Sequence, residues 1–324
     1  MASTLSLCLV LAAIGGAAPP AAPWNNSGHR IVSLLAWNQL SPPTRADVAA
    51  LLRAHPRFQA DLQPGLPPGS DAMAAARHAF ALAANWPDAV RSVTHPMHRV
   101  ANHPRWHYVE LPFVVGEVGA APPAAAAGEP GPGNILEAID ANLAALADRA
   151  LPAPDRAIAL CWVVHLIEDL HQPLHACTLR SAQFPDGDQG GTRFVVTRSV
   201  VDVRSQTSLH ALWDGLLGDY QSQAWEGCVA AGLALRPELS PASLAEAVAV
   251  RDPAAWAAES HDLGVRWAYL GGELRGAVAD TPAAERAPPL PVGYLAAAEA
   301  VAMQRAALAA ARLADALNRI FDPK

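Results

Sequence analysis

The chain has 324 residues, 52% of them hydrophobic and 16% charged, with 23 Lys and Arg set against 30 Asp and Glu for a formal net charge of -7. This size and apolar content suit one large globular domain, and the acidic balance excludes the basic field by which many proteins draw in nucleic-acid backbones. Any attraction for phosphate must therefore come from bound metal.

Leu5 to Gly16 form a short apolar run followed by small residues, too short to span a bilayer and shaped like the core and cleavage zone of a secretory signal. Residues 1–23 are therefore expected to be a signal peptide and residues 24–324 the working domain, secreted or periplasmic, with no stable membrane partner. No Lys or Arg precedes the apolar run. Cys8 would leave with the signal; Cys161, Cys177 and Cys228 then permit at most one intramolecular disulfide, and no Cys-x-x-Cys pair exists.

Helical segments are predicted at Ile31 to Leu40, Ala46 to Ala54 and Ala72 to Ala84 from their apolar spacing and Ala/Leu content. Between Val114 and Gly133 a Pro-, Gly- and Ala-rich stretch reads as a surface loop. Helical periodicity returns at Ile135 to Ala150 and Asp155 to Glu168, where Pro173 limits its extent. Asp186-Gly-Asp-Gln-Gly-Gly is a turn signal, and Arg193 to Val203 is β-branched enough for a small hairpin, the only strand region the pattern predicts. Further helices are expected at Ser208 to Leu217, Ala254 to Leu270 and Leu295 to Phe321. The fold class is all-α, a single mainly helical domain with a small β-hairpin.

The chemistry concentrates in Trp162-Val-Val-His-Leu-Ile-Glu-Asp-Leu-His-Gln-Pro-Leu-His. His165 and Asp169 are four apart and share one helix face, and the spacing recurs at His210 and Asp214 with apolar residues between. Taken singly, each pair reads as a hydrogen-bonded core or surface pair. Two together, both turned inward, call for a partner to offset buried charge, and a metal accepting nitrogen and oxygen donors supplies one.

These residues resemble the zinc-dependent single-strand nucleases of the P-one/S-one type, distantly related to bacterial zinc phospholipases C, over Trp24 to about Phe321. The block His165 to His175 carries the most specific match. Trp24 with Gly28-His29, Trp86-Pro-Asp88-x-x-Arg91, Trp106-His107-Tyr108, the Gly-Asp-x-Gly-Gly turn and Leu209-His210 to Trp213-Asp214 follow in the family's order. The resemblance implies a cluster of three zinc ions in a cleft. Asp88, His107, His165 and Asp169 would hold one zinc, Trp24 and His29 with the shared Asp169 a second, and His175, His210 and Asp214 the third. Trp24 would bind through its free α-amine and carbonyl, so cleavage directly before it would complete the site. His103 competes with His107 for its place, and Arg91, His29 and His107 are promoted only by their positions in the ordered set.

The implied activity is hydrolysis of single-stranded DNA and RNA to 5′-phosphate products, with 3′-nucleotidase activity on mononucleotides. The resemblance makes Asp88, Asp169 and Arg91 the catalytic set: water between the zincs sharing Asp169 attacks, the third zinc assists the departing 3′ oxygen, and Arg91 braces the phosphate through its planar fork. The sequence departs from the family at Thr192 and Ser208, where Asn is usual, and at Glu110, where Asp is more common. Two alternatives stand beside this reading: a zinc phospholipase C with a similar cluster, and a zinc-binding protein without catalysis.

Overall fold

The computed structural model describes residues 24–115, 133–198, 205–218 and 223–323. The expected signal peptide, most of the Pro- and Ala-rich loop and the tip of the expected hairpin lie outside the described residues. Helices follow in the order α1 Asn26–Gln39, α2 Pro42–Arg53, the single turn α3 Phe58–Asp61, α4 Ala72–Ala89, the single turn α5 His98–Ala101, α6 Ile135–Ala147, α7 Ala153–Leu170, α8 Leu209–Asp214, α9 Gln223–Ala234, α10 Ala245–Ala249, α11 Pro253–Leu263 and α12 Tyr294–Phe321. The domain is mainly helical, as the periodicity implies. No helix among the described residues is long and apolar enough to cross a membrane.

Local chemistry sets many of the helix starts. Asn25, Ser41, Asp71, Asn134, Ser208 and Asp252 each accept a backbone N–H of the following first turn through the side chain, satisfying donors that a helix leaves open at its beginning. Pro42 and Pro253 occupy first-turn positions where the missing N–H costs nothing. Some ends differ from the sequence reading. α4 runs on to Ala89 with Pro87 inside its last turn, and the segment expected to be helical through Leu270 ends as α11 at Leu263, followed by a π-turn at Gly264–Ala268.

The strand expectation needs a correction. β3 Phe194–Thr197 pairs antiparallel with β4 Gln206–Ser208, which agrees with a hairpin, but β5 Ala277–Val278 joins its other edge. A separate parallel pair forms from β1 Pro112–Val114 and β2 Thr178–Arg180. These strands are two to four residues long, too short to print a period-two pattern in the sequence.

Helix α7 is the axis of the domain. Every residue from Ala159 to Leu170 is buried, as expected of a helix that is apolar on nearly all sides, and α1, α2, α4, α6, α11 and α12 pack around it. Its C-terminal end is clamped by an ionic latch. Glu259 of α11 accepts from Arg305 Nη1 at 2.9 Å and from both Nη atoms of Arg312 at 2.7 Å. Arg305 Nε donates to the His171 carbonyl at 3.2 Å, and Arg312 Nη1 donates to His171 Nε2 at 2.9 Å. His171 therefore faces the latch. Cys161, Cys177 and Cys228 are all free.

Removing one partner from a buried ion pair strands the other, and Arg305 and Arg312 are both buried. Because Glu259 itself is partly exposed, Glu259→Ala should lower unfolding stability by about 1 to 2 kcal/mol, read as a shift of the urea midpoint at unchanged slope; a change below about 0.5 kcal/mol would show the latch to be energetically neutral.

Candidate metal centre

Four parts of the chain converge on the C-terminal half of α7. His165 and Asp169 project from one face of α7, with Nε2 of the first 2.9 Å from Oδ2 of the second. Past the helix end, Gln172 accepts the Leu174 N–H at 2.6 Å and so starts the short turn Pro173–His175, which delivers His175 to the same space. α1 brings His29, whose Nε2 lies 3.3 Å from Asp169 Oδ1. The last turn of α4 brings Asp88, and the turn Pro104–His107 brings His107, whose Nδ1 is 3.1 Å from Asp169 Oδ2 and 3.9 Å from Asp88 Oδ1. α8 adds His210 and Asp214, with Asp214 Oδ1 3.9 Å from His175 Nε2.

The eight side chains fall into three groups with donor atoms close enough to share an ion: His29, His165 and Asp169; Asp88, His107 and His165; and His175, His210 and Asp214. The structure thus brings together every side chain expected to bind metal. Trp24, expected to bind through backbone atoms, is buried beside them with its indole N–H donating to the Glu168 carbonyl at 3.0 Å. Between the competitors, His107 is in the cluster, whereas His103 stacks on Trp106 at 3.8 Å between ring centroids. Arg91 lies at the edge, its Nη1 3.3 Å from Asp88 Oδ1.

The rings are held from behind. Nδ1 of His165 donates to the Ala84 carbonyl at 2.7 Å, that of His175 to the His107 carbonyl at 2.7 Å, and that of His210 to the Gly190 carbonyl at 2.8 Å. Each bond fixes the tautomer and leaves the Nε2 lone pair for the centre. Gly190 can serve because it lacks a side chain: its φ is 59°, and a Cβ there would stand 2.5 Å from the Leu174 carbonyl oxygen. Ser208 caps α8 by accepting the Ala211 N–H at 3.1 Å.

Burial pushes the Asp88 carboxyl up to about 7 and drives Asp169 and Asp214 well above the usual carboxylate range. The same burial holds His107, His165, His175 and His210 below the ordinary imidazole value. Asp88 Oδ2, Asp169 Oδ1, Asp214 Oδ2 and His175 Nε2 carry no hydrogen bond among the described residues. Buried acceptors with no donors, converging on one space, fit a divalent cation, and imidazole with carboxylate is a donor set that suits zinc.

Two residues at the site were not singled out from the sequence. Gln172 donates to Asp214 Oδ1 at 2.6 Å and orients that carboxylate. Glu168, wholly buried, takes both His29 Nδ1 and Ser33 Oγ at 2.6 Å. Gln172 stands inside the quoted motif, but nothing in its spacing discloses its partner. Beside the cluster a cavity of about 290 Å³ opens to solvent between Arg91, Tyr108, Glu110, Thr192 and His210.

Residues 24–322 match the protein-family model described as S1/P1 Nuclease. Among curated proteins no significant match is found.

The electrostatics carry a sign. A carboxyl ionising near 3.8 in the unfolded chain and near 7 in the metal-free fold, as at Asp88, favours folding below the lower value and loses that contribution as pH rises toward the upper one. A bound cation takes the proton's place. The rise in melting temperature on adding zinc to chelator-stripped protein should therefore grow between about pH 5 and about pH 7.5; a rise independent of pH would show that these carboxylates do not take the metal.

Proposed function

The chain belongs to the S1/P1 nuclease family, and from that premise we propose that it is a zinc-dependent endonuclease, hydrolysing single-stranded DNA and RNA to 5′-phosphate products and acting as a 3′-nucleotidase on mononucleotides. Nuclease activity and a nucleic-acid substrate follow from the family, whose members are in general zinc-dependent. The finer reading rests on one observation: the three His/Asp groups lie together around Asp169 and beside an open cavity.

In this proposal Asp88, His107, His165 and Asp169 hold the first zinc, Trp24, His29 and Asp169 the second, and His175, His210 and Asp214 the third. Zinc bound there would supply a Lewis acid to the phosphoryl oxygens and make water nucleophilic near neutral pH. The side chains do the rest. Asp169 is placed between groups, with one oxygen toward His29 and the other toward His107 and His165, so it fixes their separation. Arg91, a quarter exposed and lining the cavity, offers its fork to the phosphate, with Asp88 restraining one Nη.

Single-strand selectivity has a physical basis in the same cavity. Its metal-facing wall is recessed among His107, His175 and His210, and the ring of Tyr108 stands at 40% exposure on the rim. A splayed base can stack on an exposed ring, whereas a paired base is occupied in its own duplex. Phosphate attraction in so acidic a chain then comes from the metal charge and Arg91. Export from the cell, with maturation directly before Trp24, belongs to the same proposal, because a free α-amine at that residue adds a ligand to the second site.

The test combines elemental analysis of the mature protein with hydrolysis of single-stranded RNA, duplex DNA and phosphatidylcholine, before and after chelation. The expected result is three zincs per chain and chelator-sensitive cleavage of the single strand; cleavage of lipid alone would make it a phospholipase, and zinc without hydrolysis a binding protein. Arg91→Ala should reduce kcat on single-stranded RNA by about 10²-fold or more while leaving the zinc content intact, and an unchanged kcat would remove Arg91 from the catalytic set.

A further inference from the structure

The polar partners behind the histidines are not alike. His165, His175 and His210 donate from Nδ1 to neutral backbone carbonyls. His29 alone among these rings has a carboxylate there: Glu168 Oε2 lies 2.6 Å from its Nδ1, while Oε1 accepts from Ser33 Oγ at 2.6 Å. The backbone carbonyl of Glu168 meanwhile accepts the Trp24 indole N–H at 3.0 Å. One residue of α7 thus grips both members of the second proposed site that come from the start of the chain.

A carboxylate in this position is an expensive choice for a core. Glu168 and His29 are wholly buried, and an apolar pair of similar volume would hold α1 against α7 at no cost in desolvation. A carboxylate behind an imidazole makes the opposite nitrogen a stronger donor than a carbonyl does. That strengthening falls on the site with the fewest side chains of its own, His29 and the shared Asp169.

We propose that Glu168 is a positioning residue for the metal held between His29 and Asp169: it fixes His29 as the Nδ1–H tautomer, turns Nε2 toward Asp169, and anchors the Trp24 indole so that residue 24 lies against the same point. The inference rests on the proposed zinc ligands. Its consequence is local, since the sites built on His165 and on His175 and His210 have their own backbone anchors.

The experiment uses the full mature chain as wild type, Glu168→Gln and Glu168→Ala. Each is loaded with zinc, dialysed against graded chelator and assayed by elemental analysis, and each is loaded with cobalt for its visible absorption spectrum. Glu168→Ala should lose one zinc per chain at chelator levels the wild type withstands, with about 10- to 100-fold weaker binding at that site, and one component of the cobalt spectrum should change. Glu168→Gln should fall between, because its amide oxygen still accepts from Nδ1–H without the charge. Urea unfolding of the metal-free forms separates positioning from bracing: Glu168→Gln, which can keep hydrogen bonds to His29 and Ser33, should leave the metal-free fold near wild-type stability, whereas Glu168→Ala strands both buried partners and should lower it. Unchanged zinc affinity in both variants would overturn the proposal, as would a uniform loss of all zinc from Glu168→Gln accompanied by a destabilised metal-free form of that variant. A wild type that takes up no zinc would instead bring down the ligand assignment itself, and the proposal with it.

Discussion

Everything in this domain is arranged around the cost of placing carboxylates and imidazoles together in a dry interior. Asp169 is wholly buried, with His29, His107 and His165 turned toward its two oxygens, and the same burial makes its charged form unfavourable in the absence of a cation. An apolar core of this size has no reason to contain such a group for stability alone. The surrounding helices form the frame that keeps the donor atoms of the cluster close enough together that they could share an ion.

That frame works by holding each ring from its far side. Ala84 on α4, the carbonyl of His107 and Gly190 in its left-handed turn each take an Nδ1–H, so the orientation of the cluster depends on backbone positions spread over the chain. Asp188 keeps the Gly190 turn in place by accepting from Tyr269 Oη at 2.6 Å and from the Leu179 N–H at 2.9 Å. At the other end, the Glu259–Arg305–Arg312 latch closes over the His171 carbonyl. α7 is thus fixed where it leaves the core, a turn before His175 enters the site.

The electrostatic design follows from composition. With a net charge of -7, the molecule has little long-range attraction for a polyanion. In the proposed function the attraction is local instead: metal charge at the floor of a cavity, with Arg91 beside it. Concentrating positive charge where the scissile phosphate would lie favours the reacting group over the rest of the strand, and it leaves the rim free to meet a base through Tyr108.

Two of the pairs that could bind metal were legible in the sequence because i and i+4 share a helix face, so His165 with Asp169 and His210 with Asp214 announce themselves by spacing, whereas His29, Asp88, His107 and His175 were picked out only by the resemblance to an ordered family set. The helical class followed from apolar periodicity. Other features were decided only in three dimensions. Choosing His107 over His103 depends on which ring a short turn carries inward, since both are histidines in one crowded segment. The roles of Glu168 and Gln172 depend on partners in α1 and α8, 139 and 42 residues away, and the two- to four-residue strands depend on neighbours that no local pattern encodes. Local geometry is written in spacing along the chain, but a hydrogen bond between distant segments exists only after packing has brought them together.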